Sequence, residues 1–207
     1  MHLLVTDRLS CARCGPEFGL IIAVHEMRER RVLEGTLSCS NCREGYPIAG
    51  GFADLRPAPR RATVDHGPSA PADADAAGRL AALLGVERGP GLLVLLGSSA
   101  CHAHPLSLMV EGIEVAAIHQ PLRVVREQEG VSRIAISDRL PFLTGSIRGL
   151  VLEGAMGVAL LPEAERVLGR GSRLVVLGPP ATATAALEAR GFHLLMQSDE
   201  ALVGQQK

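Results

Sequence analysis

The stretch Leu92-Leu93-Val94-Leu95-Leu96, followed at once by Gly97-Ser98-Ser99-Ala100-Cys101, decides the fold. A short, fully apolar run of this kind reads as a strand buried on both faces, the type found in parallel sheets. A glycine directly behind it supplies a tight turn in which no Cβ blocks a ligand. Upstream, Ala76–Val86 reads as an amphipathic helix, separated from the strand by the Gly89-Pro90-Gly91 break. Downstream, Ile113–Ile118 and Ser132–Ile136 read as strands and Gly149–Leu152 as a weaker fourth. Pro162–Leu168 belongs to a helix closed by Gly169-Arg170-Gly171, Arg173–Leu177 is another buried strand, and Ala181–Arg190 is a helix with Gly191 at its C-cap. Phe192–Met196 and Ala201–Gly204 close the pattern as a hairpin. Strands alternating with helices imply right-handed parallel crossovers, so the expected class is α/β with a doubly wound, mostly parallel Rossmann-like sheet.

Composition narrows the function. The chain has 207 residues, 47% of them hydrophobic, enough for a sizeable core and against wholesale disorder. No apolar run approaches the roughly 20 residues of a membrane span, and the first residues lack a signal peptide's cationic and apolar regions. A soluble, cytoplasmic protein with no membrane partner is expected. With 21 Lys+Arg against 22 Asp+Glu, the charge balance argues against a protein built to grip nucleic-acid backbone. No Trp, one Tyr and four Phe leave little for a base-stacking platform.

Four of the five cysteines form two pairs, Cys11-x-x-Cys14 and Cys39-x-x-Cys42, 24 residues apart. In a reducing compartment that spacing reads as metal rather than disulfide. Each pair delivers two thiolates from one knuckle, the segment between them forms a hairpin, and Gly15 and Gly45 permit the close turns. The expected site is a closed, structural Zn²⁺ site. Four accidental free cysteines, or a redox pair, are the weaker readings: two correctly spaced pairs rarely coincide, and one pair would serve redox chemistry. Residues 1–61 carry nine Arg and seven acidic residues, a formal +2 that four thiolates and Zn²⁺, together −2, bring to about zero. Nucleic-acid binding should be weak or indirect. The organisation read from this is a zinc-binding region over 1–57, a Pro-rich linker over 58–74 and an α/β domain over 75–207.

The stretches Leu9-Ser-Cys-Ala-Arg-Cys-Gly15 and Leu37-Ser-Cys-Ser-Asn-Cys-Arg-Glu-Gly-Tyr-Pro-Ile-Ala-Gly-Gly-Phe-Ala-Asp-Leu-Arg-Pro57 resemble the small zinc-ribbon proteins that activate tRNA, rRNA and protein methyltransferases. The resemblance covers 7–57 and implies a docking platform without chemistry of its own, whose partner is a methyltransferase or its complex. Tyr46, Pro47 and Ile48 are expected to be the ribbon's core strand.

Residues 76–207 resemble the class I S-adenosylmethionine-dependent methyltransferases. The resemblance rests on Leu140-Pro141-Phe142-Leu-Thr-Gly-Ser146-Ile, then on Leu161-Pro-Glu-Ala-Glu-Arg-Val-Leu168-Gly-Arg-Gly-Ser-Arg-Leu-Val-Val176, and on Gly191-Phe192 opening a sixth strand. It implies cofactor contacts from Gly97, Ser99, Cys101, His119 and Asp138, but in an altered set. Ser99 and Cys101 stand where the family has glycines, and their side chains are expected to fill space the methionine moiety needs. Leu95 replaces an acidic residue within the first strand, His119 stands where a carboxylate holds the ribose hydroxyls, and Arg148 stands where Asp is common. Losing a charge-assisted bond to the ribose costs roughly 1.5–3 kcal/mol of affinity.

Cys101, His102, His104 and His119 should all reach the crevice at the strand ends, yet a near-sequential Cys-His-x-His is awkward for one ion, and loop residues are the favoured reading. The expectation is therefore a noncatalytic binding or scaffolding module with a degenerate cofactor site. The alternative is an active S-adenosylmethionine-dependent methyltransferase on RNA or a small molecule.

Overall fold

A computed structural model describes residues 1–60 and 71–207; 61–70, inside the expected linker, lie outside the described residues. A short helix α1 (Leu3–Thr6) leads into β1 (Ser10–Cys11), the hairpin of β2 (Gly15–Arg28) and β3 (Arg31–Cys39), then β4 (Gly45–Ala49) and β5 (Phe52–Asp54). The second part opens with α2 (Ala74–Leu84), β6 (Gly91–Leu96), a 3-10 segment over Gly97–His102, α3 (Ala103–Met109) and β7 (Ile113–Ile118). A 3-10 turn over Gln120–Val124, β8 (Val131–Ala135), β9 (Ile147–Glu153), α4 (Gly154–Ala159) and α5 (Leu161–Val167) follow. The chain closes with β10 (Leu168–Leu177), α6 (Ala183–Ala189), β11 (His193–Gln197) and β12 (Ala201–Gln205).

Local chemistry sets several of these boundaries. Helix α2 starts two residues before the expected Ala76 because the Asp73 carboxylate caps it, accepting from the Asp75 N–H at 3.0 Å. It ends at Gly85, whose φ of 63° is the left-handed cap. Glu29 and Arg30, with φ of 47° and 65°, turn β2 into β3, a two-residue turn built without glycine.

All twelve strands join one sheet, in the order β1-β2-β3-β4-β5-β8-β7-β6-β9-β10-β12-β11. From β8 to β10 the strands run parallel, and β12 lies antiparallel between β10 and β11. Counted from β6, the order is third, second, first, fourth, fifth, seventh, sixth. The N-terminal strands extend this sheet, since β5 pairs in parallel with β8 through Phe52–Arg133, Ala53–Ile134 and Asp54–Ala135.

Period-two alternation sends successive apolar side chains to opposite faces, and both faces are buried. Leu93, Leu95, Val115, Ala117, Val151 and Val175 pack under α2 and α3 through Leu80, Leu84 and Leu106. Leu92, Val94, Ala116, Ile118 and Ile134 face the other way, into one core with Val5, Leu9, Leu37 and Ile48 of the N-terminal region. On that face the connection from β8 to β9, residues 136–146, contains no helix. Its Leu140 and Phe142 are buried, and the N-terminal chain clamps it: Ser10 N–H donates to Pro141 C=O at 2.9 Å, Leu143 N–H to Arg8 C=O at 2.8 Å, and Leu9 bridges Phe142. The N-terminal β-region thus covers apolar surface that the helix-free crossover leaves open.

An ion network also ties the two parts. Arg133 on β8, 1% exposed, donates to Leu122 C=O at 3.0 Å, to Gly50 C=O in the β4–β5 turn, and to the Glu127 carboxylate at 3.3 Å. Arg31, at the start of β3, donates to the same carboxylate and to Glu114 at 3.3 Å. Among the described residues, no helix is long and apolar enough to cross a membrane.

Candidate metal centre and cofactor crevice

Cys11 lies on β1 and Cys39 ends β3, while Cys14 and Cys42 sit in the turns behind them. Gly15 makes the first turn with φ of 104°. In the second turn the left-handed residue is Arg43, φ 59°, and not Gly45, which opens β4. Arg43 N–H closes that turn onto Cys39 C=O at 2.9 Å. The four Sγ atoms lie within 4.8 Å of one another, with Cys11–Cys42 at 3.7 Å and Cys14–Cys39 at 3.9 Å. Thiolates about 2.3 Å from one tetrahedral ion stand about 3.8 Å apart, so this donor set fits Zn²⁺. Cys11 and Cys39 are buried and the other two half-buried. Donors that reach the sulfurs include Cys14 N–H to Cys11 Sγ at 3.4 Å and Asn41 Nδ2 to Cys14 Sγ at 3.3 Å.

No second metal cluster forms among the described residues. His102 Nδ1 accepts from Asp73 N–H at 3.1 Å, at the start of α2, whereas His104 Nδ1 lies 3.3 Å from Glu129 C=O. These contacts draw the two imidazoles toward different elements, and His119 sits beyond the end of β7.

Crevice geometry follows from the strand order. At β6 the chain's neighbours lie on opposite sides, β7 on one and β9 on the other, and such a switch point opens a crevice at the carboxyl ends of the strands. Gly97, φ 88°, begins the turn there, and a Cβ on it would collide with the Glu153 carboxylate at the end of β9. That carboxylate accepts from Ser98 N–H at 2.9 Å, Ser98 Oγ at 2.9 Å and Ser99 N–H at 2.6 Å. Two successive amides and a hydroxyl thus hold one internal anion.

The sequence-derived positions fall as follows. Gly97, Ser99 and Cys101 lie in the turn after β6. Ser99 does not project into the crevice as expected: its buried Oγ turns back and donates to Leu96 C=O at 3.1 Å, so its amide and not its side chain faces Glu153. His119 follows β7, its carbonyl accepting from Leu122 N–H at 3.1 Å. Asp138 lies past β8, exposed, and accepts from Ser137 Oγ at 2.8 Å, which holds its carboxyl below the usual carboxylate range. Arg148 is at the opposite end of the sheet, second in β9, donating to Arg88 C=O at 2.6 Å and Pro90 C=O at 3.0 Å. The residue that does reach the crevice from β9 is Glu153, at the strand's last position, which no local sequence signal marks.

A cavity of about 1200 Å³ lies elsewhere, between the β2–β3 turn and the first residues of β6 and β7, with Arg28, Glu29, Leu92, Ile113 and Glu127 in its walls. Its position at the amino ends of the strands separates it from the crevice.

No protein-family model matches the chain, and no curated protein matches it in sequence. Solved structures do. The precorrin-6y C5,15-methyltransferase from Geobacter metallireducens GS-15 superposes with a TM-score of 0.52 at 13% identity, over 70% of this chain and 97% of that one. Over that part the chain shares this methyltransferase's α/β fold. The cyclase SpnF superposes with a TM-score of 0.50 at 14% identity, over 63% of this chain and 62% of its own, less than two thirds of that protein. One neighbour is named for methyl transfer and the other for cyclisation, so the shared fold leaves the reaction open.

Proposed function

We propose that this chain is a divergent methyltransferase-like protein, stabilised by a structural zinc ribbon, that works as a noncatalytic binding or scaffolding module with a degenerate cofactor site. The observation that carries the reading is the Glu153 carboxylate seated on the Ser98 and Ser99 amides. S-adenosylmethionine brings a carboxylate of its own, and in this turn that carboxylate meets amide donors already engaged. The ribose end adds to this, since the imidazole of His119 offers at most one acceptor nitrogen where a carboxylate serves two hydroxyls. The methyltransferase that the ribbon's resemblance implies as partner is, in this reading, the chain's own second half, because β5 already pairs with β8. Four thiols held as metal ligands suit the reducing cytoplasm.

One observation favours a second reading, an active S-adenosylmethionine-dependent methyltransferase on RNA or a small molecule. Glu153 places a carboxylate at the crevice end of β9, where a general base would serve. Thermal melting with added cofactor separates the two. A ligand at a hundred times its Kd stabilises a fold by about 2.7 kcal/mol, an easily visible shift. We expect no shift at about millimolar S-adenosylmethionine; a clear shift, together with methyl transfer to any RNA or metabolite, would establish the second reading.

A further inference from the structure

Tyr46 is the chain's single tyrosine, it lies on β4, and its side chain is fully buried. A buried phenol needs a partner for its hydroxyl. The register decides which one. Tyr46 faces Leu37 across the β3–β4 pair, two residues from Cys39, and so shares the face on which the cysteines converge. Its hydroxyl lies 3.3 Å from Cys11 Sγ. From the other side the Arg60 guanidinium stacks over the ring, 5.5 Å from its centre, and is held there by Glu44 at 3.2 Å and Gly45 C=O at 2.6 Å. The ring cannot turn away without losing that stack.

We propose that Tyr46 is a positioning residue of the metal centre, its hydroxyl donating to the Cys11 thiolate and thereby setting how tightly the ion is held. The inference rests on the cysteine cluster being a zinc site. Four thiolates on Zn²⁺ leave a net charge of −2, and sulfur lone pairs not used by the metal need donors. At Cys14, half-buried, Asn41 serves that task. Cys11 is 1% exposed, so water has no access, and beside the backbone amides of its own turn, those of Arg13 and Cys14, the Tyr46 hydroxyl is the side-chain oxygen that reaches it.

Tyr46→Phe keeps the ring, its packing and the Arg60 stack, and removes one oxygen. Against a competing chromogenic chelator, its zinc Kd should weaken by about tenfold, the lower part of the range for outer-shell partners. In the cobalt-substituted protein the thiolate-to-metal charge-transfer band should move to lower energy, because a sulfur that loses a donor gives up charge more readily. Global replacement of tyrosine by 3-fluorotyrosine alters this site alone and tests the same bond without a mutation. The more acidic phenol is a stronger donor and should move the band to higher energy. Wild-type zinc affinity in Tyr46→Phe and an unmoved band with fluorotyrosine would overturn the proposal. Wild-type protein that takes up no zinc would instead overturn the zinc reading beneath it.

Discussion

The backbone N–H of Ser10 donates to the carbonyl of Pro141 at 2.9 Å, one residue from Cys11 of the four-cysteine cluster and in the middle of the crossover from β8 to β9. A cysteine cluster in the first quarter of the chain is thereby coupled to a loop of the later sheet. Leu9 and Phe142, both buried and bridged to each other, repeat the coupling one residue away.

Zinc removal should therefore damage more than residues 1–57. Structural zinc in small domains contributes on the order of 10 kcal/mol, as much as a whole domain's stability. Chelation, or Cys39→Ser, should unfold the N-terminal region and lower hydrogen-exchange protection in β8 and β9 as well. Protection of those strands that survives chelation unchanged would show that the two regions fold independently.

Glu127 is the shared partner of Arg31 and Arg133. Glu127→Ala should take the carboxylate partner from the buried Arg133 guanidinium and the buried Met1 ammonium, leave Arg31 with Glu114, and cost about 3–5 kcal/mol, measured by denaturant unfolding. A cost below about 1 kcal/mol would mean that the carbonyls of Leu122 and Gly50 on Arg133, and the Val131 carbonyl and Glu114 carboxylate on Arg31, suffice for these cations.

Acid should weaken the junction at Asp54, the last residue of β5. Burial pushes its carboxyl up, but the Arg56 side chain and amide, at 2.8 and 3.2 Å, override that and hold it below the usual carboxylate range. A carboxyl with a depressed folded-state pKa stabilises fully above its unfolded value, and the contribution fades as pH falls through the folded value. Wild type should thus be more stable than Asp54→Asn at neutral pH, and the difference should close in strong acid. A difference independent of pH would assign the loss to packing.

The strands and the convergence of the four cysteines were legible in the sequence because each has a local signature. Apolar runs such as Leu92–Leu96 and Arg173–Leu177 show no helical period, and two Cys-x-x-Cys pairs have few other uses. Helices α3 and α4 were not legible, since Pro105 interrupts the first and Gly154 and Gly157 weaken the second. The turn at Glu29-Arg30 lacks the usual glycine or asparagine signal. Glu153 was missed for a different reason: its role depends on two neighbouring strands, β6 and β9, whose pairing no local pattern states. The pairing of β5 with β8 likewise arises from contact across about 80 residues of chain.

The most direct test follows the amides of Ser98 and Ser99 by NMR while S-adenosylmethionine is titrated into zinc-loaded protein. With Glu153 holding both donors, neither resonance should move up to about millimolar cofactor. Saturating shifts at both amides with a micromolar Kd would contradict the closed site.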